Sequence, residues 1–136
     1  MKSLLRQALI LVGMAGGTLS AQTIAGVRVQ APFEFTAGGQ KFPAGTYVFR
    51  PLTGLRSITV SQENGPAAAT VMSVSADRFG APEHSAVVFY KYGESYFLRR
   101  VSVKGYHSPV ELPVIGEERR VSRTAQPQEI AFAASH

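Results

Sequence analysis

The strongest constraint on the fold is a period-two alternation that begins at Val27. In Val27-Arg28-Val29-Gln30-Ala31-Pro32-Phe33-Glu34-Phe35 the apolar side takes Val27, Val29, Ala31, Phe33 and Phe35, while Arg28, Gln30 and Glu34 fall opposite. Successive side chains of a strand point to opposite faces, so this pattern is a strand with one face on a core and one in solvent. Pro32 has no N–H to give a neighbouring strand, which places it at an edge or an irregularity. The same rhythm returns along the chain. It predicts strands over Thr46 to Leu52, Ser57 to Gln62, Ala67 to Ser75, Ser85 to Tyr92, Ser95 to Val103 and Gln128 to Ala133.

Turn chemistry separates these segments. Gly38-Gly39, Phe42-Pro43-Ala44-Gly45, Thr53-Gly54, Glu63-Asn64-Gly65-Pro66 and Gly93-Glu94 each interrupt a strand pattern. Asn64-Gly65 is the strongest signal, because both residues accept positive φ. Pro43 in the second turn position and Ala44 in the third predict a type I turn, with negative φ at Ala44. In the sixth strand Tyr96 and Leu98 share one parity and Val101 and Val103 the other. A bulge near Arg99-Arg100 reconciles them. The segment 76–83 reads as a loop and 104–116 as irregular. Glu117 to Ala125 is the one helix candidate, with acids first and arginines later to suit the helix dipole, and Pro127 beyond it. The fold class predicted is all-β: a small antiparallel sandwich or barrel of six to seven strands with one short C-terminal helix. The predicted core is Val29, Phe33, Phe35, Tyr47, Phe49, Ile58, Val60, Val88, Phe97 and Leu98.

The first residues read differently. Lys2 and Arg6 precede an apolar run over 8–19, followed by the small residues Ser20 and Ala21. That is the layout of a secretory signal peptide, cut after Ala21 or alternatively after Ala25. Residues 1–21 are thus expected to be removed, leaving 22–136 as a single β domain, exported to the periplasm or secreted, with 104–136 partly irregular or helical. The chain has no cysteine among its 136 residues. Disulfides, thiol catalysis, cysteine zinc sites and lipoprotein acylation are all excluded. No later apolar run approaches a membrane span.

The formal net charge is +5, and loss of Lys2 and Arg6 lowers it. The one dense basic cluster, Arg119-Arg120 with Arg123, follows Glu117-Glu118, so no nucleic-acid partner is expected. The histidines His84, His107 and His136 have no metal-ligand spacing, and Asp77 is the sole aspartate. No metal and no cofactor is therefore expected. Phosphate-loop, dinucleotide and serine-elbow motifs do not occur. Phe89, Tyr90, Tyr92, Tyr96 and Phe97 crowd one hairpin. Tyr90, Tyr92 and Tyr96 could line a ligand face with Arg99 or Arg100 holding an anion beside them. The competing reading is cross-strand packing that stabilises the hairpin.

Two stretches resemble a known family. Ala31-Pro32-Phe33-Glu34-Phe35-Thr36-Ala37-Gly38-Gly39-Gln40-Lys41-Phe42-Pro43-Ala44-Gly45-Thr46-Tyr47-Val48 is similar to its P-F-x-F-x-x-G-G-x-x-L-P-A-G-x-Y signature, with Phe42 in the usual leucine position. Val88 to Leu98 resembles its F-x-x-Y-G-x-x-Y-F-L hairpin, and Glu111-Leu112-Pro113 with Glu118-Arg119 its polar C-terminal helix. The family comprises small signal-peptide-bearing exported β proteins common in acidobacterial and related soil-bacterial genomes. It carries no assigned activity, so the resemblance implies export and an all-β fold and assigns no functional residue. Three functions remain in view: a non-enzymatic structural or interaction module, which is the leading expectation; a barrel binding a small aromatic or apolar ligand; and an envelope glycan hydrolase using Glu83, His84 or Glu94. A protein or a small molecule could be the partner.

Overall fold

The computed structural model describes residues 26–52 and 54–134. The segment read above as a signal peptide, the two expected cleavage positions and His136 lie outside the described residues. In chain order the strands are β1 (Val27–Ala31), β2 (Phe35–Ala37), β3 (Gln40–Phe42), β4 (Gly45–Leu52), β5 (Ser57–Gln62), β6 (Ala68–Met72), β7 (Val74–Ser75), β8 (Ala86–Tyr92), β9 (Ser95–Ser102), β10 (Val110–Glu111) and β11 (Gln128–Ala133). One helical turn, Asp77–Phe79, precedes β8, and the helix α1 (Gly116–Ser122) precedes β11. The long strands are those the alternation predicts. β2, β3, β7 and β10 span only two or three residues, too few for a period to register.

Two sheets stack as a sandwich. The smaller runs β1-β4-β5-β6, all antiparallel. The larger runs β11-β8-β9-β10-β7, with the β2–β3 hairpin joined to β9. The β2–β9 contact is parallel, at Thr36 and Phe97. Among the described residues the sheets do not close into a barrel: β1 and β6 end the smaller sheet, and β11 and β7 the larger.

The chain crosses between sheets three times, at Pro32, between Phe42 and Gly45, and at Ser73, and the first and third crossings correct the sequence reading. Val27 to Phe35 is not one strand, because the chain leaves the smaller sheet at Pro32 and enters the larger at Phe35. Phe33, at this crossing, is half-buried rather than enclosed, and stacks on Tyr96 with ring centroids 3.7 Å apart. Ala67 to Ser75 likewise divides at buried Ser73, whose N–H donates to Arg56 O at 2.9 Å. The other predicted core residues are all buried. Phe35 is the hub between the sheets, touching Tyr47, Phe89 and Phe42 with centroids 5.0, 5.1 and 5.2 Å away. Offset and edge-on ring contacts of this kind add to the burial itself.

Local turns follow their chemistry. Asn64 takes φ 64°, and the hairpin closes through Gln62 N–H to Ala67 O at 2.7 Å. Ala44 does not take positive φ, as the type I reading requires. Tyr47 Oη donates to Pro43 O at 2.6 Å across that bend.

Candidate functional site

The β8–β9 hairpin is the second centre of the molecule, and a bulge organises it. Val88 pairs with Arg100 while Phe89 pairs with Leu98, leaving Arg99 as the extra residue. A bulge re-aims side chains. Leu98 and Val101 join the inter-sheet core, whereas Arg99 and Arg100 turn with Val88, Tyr92 and Phe97 to the opposite face of the sheet. Five consecutive residues, Phe97 to Val101, are thereby buried.

The chain's own C-terminal region covers that opposite face. Helix α1 places Glu118 against Arg99, with side chains 6% and 5% exposed. The guanidinium donates to the Glu118 carboxylate and to the Leu112 carbonyl, and its carbon lies 4.9 Å from the centre of the Tyr90 ring. Tyr92 Oη donates to the same carboxylate at 3.4 Å and meets Phe97 edge-on at 5.7 Å. Arg99 Nε has no hydrogen-bond partner among the described residues. Burial pushes the Glu118 carboxyl above the ordinary glutamate value, against the opposing pull of Arg99 and the Tyr92 hydroxyl. Burial, helped by the negative charge of Glu118, also raises the Tyr92 phenol.

Arg100 belongs to a neighbouring, more open cluster. It bonds Glu129 of β11 at 2.9 Å and lies 3.5 Å from Glu111 of β10. Arg78 bonds Glu111 at 2.6 Å. Both guanidinium groups lie over the Phe79 ring, Arg100 at 4.1 Å and Arg78 at 4.6 Å from its centre. These contacts tie β10, β11 and the helical turn to β9.

The five residues singled out from sequence are therefore not convergent. Tyr90, Tyr92, Arg99 and Arg100 share one face. Tyr96 lies on the other, between Phe33 and the Lys91 ammonium, which is 5.5 Å from its ring centre. Both arginines that could have held an anion are engaged by carboxylates of the chain. Arg100 borders a cleft of about 380 Å³ together with Phe79, Pro82, Glu83, His84 and Pro109. Glu94 sits beyond the far end of β8, seven residues or about 24 Å from the Glu83-His84 loop, so these three do not form one acid–base site. Among the described residues no group of three or more His, Asp or Glu could hold a metal ion. Among the same residues no helix is long and apolar enough to cross a membrane.

Sequence reasoning missed Glu118, Leu112 and Phe79. A charged residue in a charged helix carries no signal of burial, and only the bulge brings Arg99 beneath it.

A further surface lies where β6 ends the smaller sheet. Met72 is 67% exposed, Val74 is 45% and Ile115 is 40%. Met72 and Ile115 line a cleft of about 300 Å³ with Gly38, Gln40, Val71 and Pro113. From Ala68 to Ser75 the chain carries no charge and no proline. The hydrogen bonds Gln62 N–H to Ala67 O and Ser73 N–H to Arg56 O fix which residues bond inward to β5. By antiparallel alternation, Ala68, Thr70 and Met72 point their N–H and C=O groups away from β5, toward the open edge. No strand among the described residues pairs there.

No protein-family model matches this sequence, and searches of curated proteins and of solved structures find no similar protein.

Proposed function

We propose that the chain is an exported, non-enzymatic interaction module, akin to the exported β family that its two motifs resemble. The observation carrying this reading is the β6 edge. It combines exposed Met72, Val74 and Ile115 beside a cleft with backbone donors and acceptors that no described strand pairs. Natural proteins blunt open edges with charge, proline or cover, and an unblunted edge is a template for another strand. The other sheet ends are treated differently: β1 carries Arg28 and runs into Pro32, β11 carries Glu129 after Pro127, and β7 is only two residues long, too short to template a strand.

The site geometry agrees with this reading. Arg99, Glu118, Tyr90 and Tyr92 contact one another, which is a structural use of the groups that chemistry would need free. The test is a photoreactive residue at Met72 in the chain expressed with its leader in a bacterial host, followed by fractionation. The reading expects a mature N-terminus at Gln22 or Gly26 in the exported fraction, and polypeptide cross-links at Met72 that are absent from a probe at exposed Lys104. A cytoplasmic chain retaining Met1, or equal labelling at both positions, overturns it.

A further inference from the structure

We infer that the occupant of the β6 edge is a second copy of this chain, joined by antiparallel β6–β6 pairing about a twofold axis at Thr70. The inference rests on the interaction reading above and names its partner.

The strand is complementary to itself. Ala-Ala-Thr-Val-Met, read against its own reverse about Thr70, sets Thr70 opposite Thr70, Ala69 opposite Val71 and Ala68 opposite Met72. Each pairing across the strands is either polar with polar or small with large. The exposed Met72 side chain gains the space over Ala68 of the other copy. The backbone has the matching phase, since Ala68, Thr70 and Met72 are the residues whose N–H and C=O groups face outward. In this register each of them both donates and accepts across the axis, as a ladder requires.

Charge selects the same edge. A twofold contact presents every residue to a copy of its own surroundings, so charges within a self-pairing edge tend to meet their like. β6 has none, although the chain carries formal net charge +5. The cleft lined by Thr70, Met72, Gly38, Gln40, Pro113 and Ile115 leaves room beside the edge for an incoming strand. The pairing joins two four-stranded sheets into one continuous sheet. Its area is small, so the dimer is expected to be weak and concentration-dependent.

The cysteine-free sequence makes the test clean. Thr70→Cys puts one thiol on the axis, with Cα atoms about 5.5 Å apart in a hydrogen-bonded pair, within disulfide range. Oxidation of the purified chain should give a disulfide dimer with Thr70→Cys and none with Ala68→Cys, whose thiols stand two residues to either side of the axis. Thr70→Lys places like charges opposite each other only in the dimer. It should raise the dimer dissociation constant by about two- to fivefold in sedimentation equilibrium while the circular dichroism spectrum and urea midpoint stay unchanged. Cross-linking through Ala68→Cys instead of Thr70→Cys overturns the register. A chain that stays monomeric at every concentration, with no Thr70→Cys dimer, overturns self-pairing. If Met72 then still cross-links to another polypeptide, the interaction reading survives without it, and if not, both fall.

Discussion

Removing Glu118 should be among the most damaging single changes to this protein, although it deletes one carboxylate from a helix of seven residues. Arg99 and Glu118 are 5% and 6% exposed, so solvent does little to screen them. In Glu118→Ala the guanidinium keeps the Leu112 carbonyl and the Tyr90 ring face, loses the Glu118 carboxylate, and still has no partner at Nε among the described residues. Breaking a buried pair by removing one partner costs about 3–5 kcal/mol, since the remaining charge is uncompensated. That figure has a ceiling. The region from Leu112 through α1 can lift off, hydrating Arg99 at the expense of exposing Val88, Tyr92, Phe97 and Leu112. Urea denaturation at pH 7 reads the cost, and a loss of this size lowers the midpoint by about 1 M or more at ordinary urea slopes. Replacing both partners, as in Arg99→Met with Glu118→Leu, should recover most of the stability, because an apolar pair of similar volume leaves no buried charge. Trypsin separates local release from global loss. Release alone accelerates cleavage after Arg119, Arg120 and Arg123 while the β-sheet signal persists. A Glu118→Ala midpoint within about 0.2 M of the parent, with unchanged cleavage, would refute the picture of a dry Arg99 held by this contact.

Acidification should act in the direction that burial dictates. The folded Glu118 carboxyl holds its proton above glutamate's ordinary 4.5, so this group favours the folded state most at low pH and the advantage is lost as pH rises through the folded value. The stability difference between the parent and Glu118→Gln should therefore shift in favour of the parent as pH falls from 7 toward 4.5, and a shift the other way contradicts a raised carboxyl. Phe35→Ala should cost about 3–5 kcal/mol in urea melts and Phe33→Ala roughly half of that, since only Phe35 is enclosed; equal losses would contradict the crossing at Pro32. Gly38 and Gly93 share nearly the same φ, 60° and 61°, but a Cβ at Gly38 would sit 2.7 Å from Val71 Cγ1 while one at Gly93 meets open space. Gly93→Ala should cost about 1–2 kcal/mol for backbone strain alone and Gly38→Ala measurably more, and equal thermal midpoints would count against the contact between the β2–β3 turn and β6.

Alternation and turn chemistry are local properties, and they were enough to place the seven long strands, the closing strand Gln128–Ala133 among them, and the helix. The parity conflict between Leu98 and Val101 likewise announced the bulge at Arg99, because a strand cannot bury both without an extra residue. What lay beyond local reading were the crossings at Pro32 and Ser73. Alternation reports which side chains are apolar and is silent on which sheet receives them, so Phe33 looked like core and became half-exposed. The aromatic hairpin was visible as a cluster, yet its division into two faces, with Tyr96 on one and Tyr90, Tyr92, Arg99 and Arg100 on the other, depended on where the bulge fell. Least legible was Glu118. A glutamate between Glu117 and Arg119 reads as solvated surface, and its burial exists only because tertiary packing lays α1 over a guanidinium 19 residues earlier in the chain. The uncharged run at β6 was plain in the sequence; that it ends a sheet, with its backbone groups turned outward, only the pairing of strands decided.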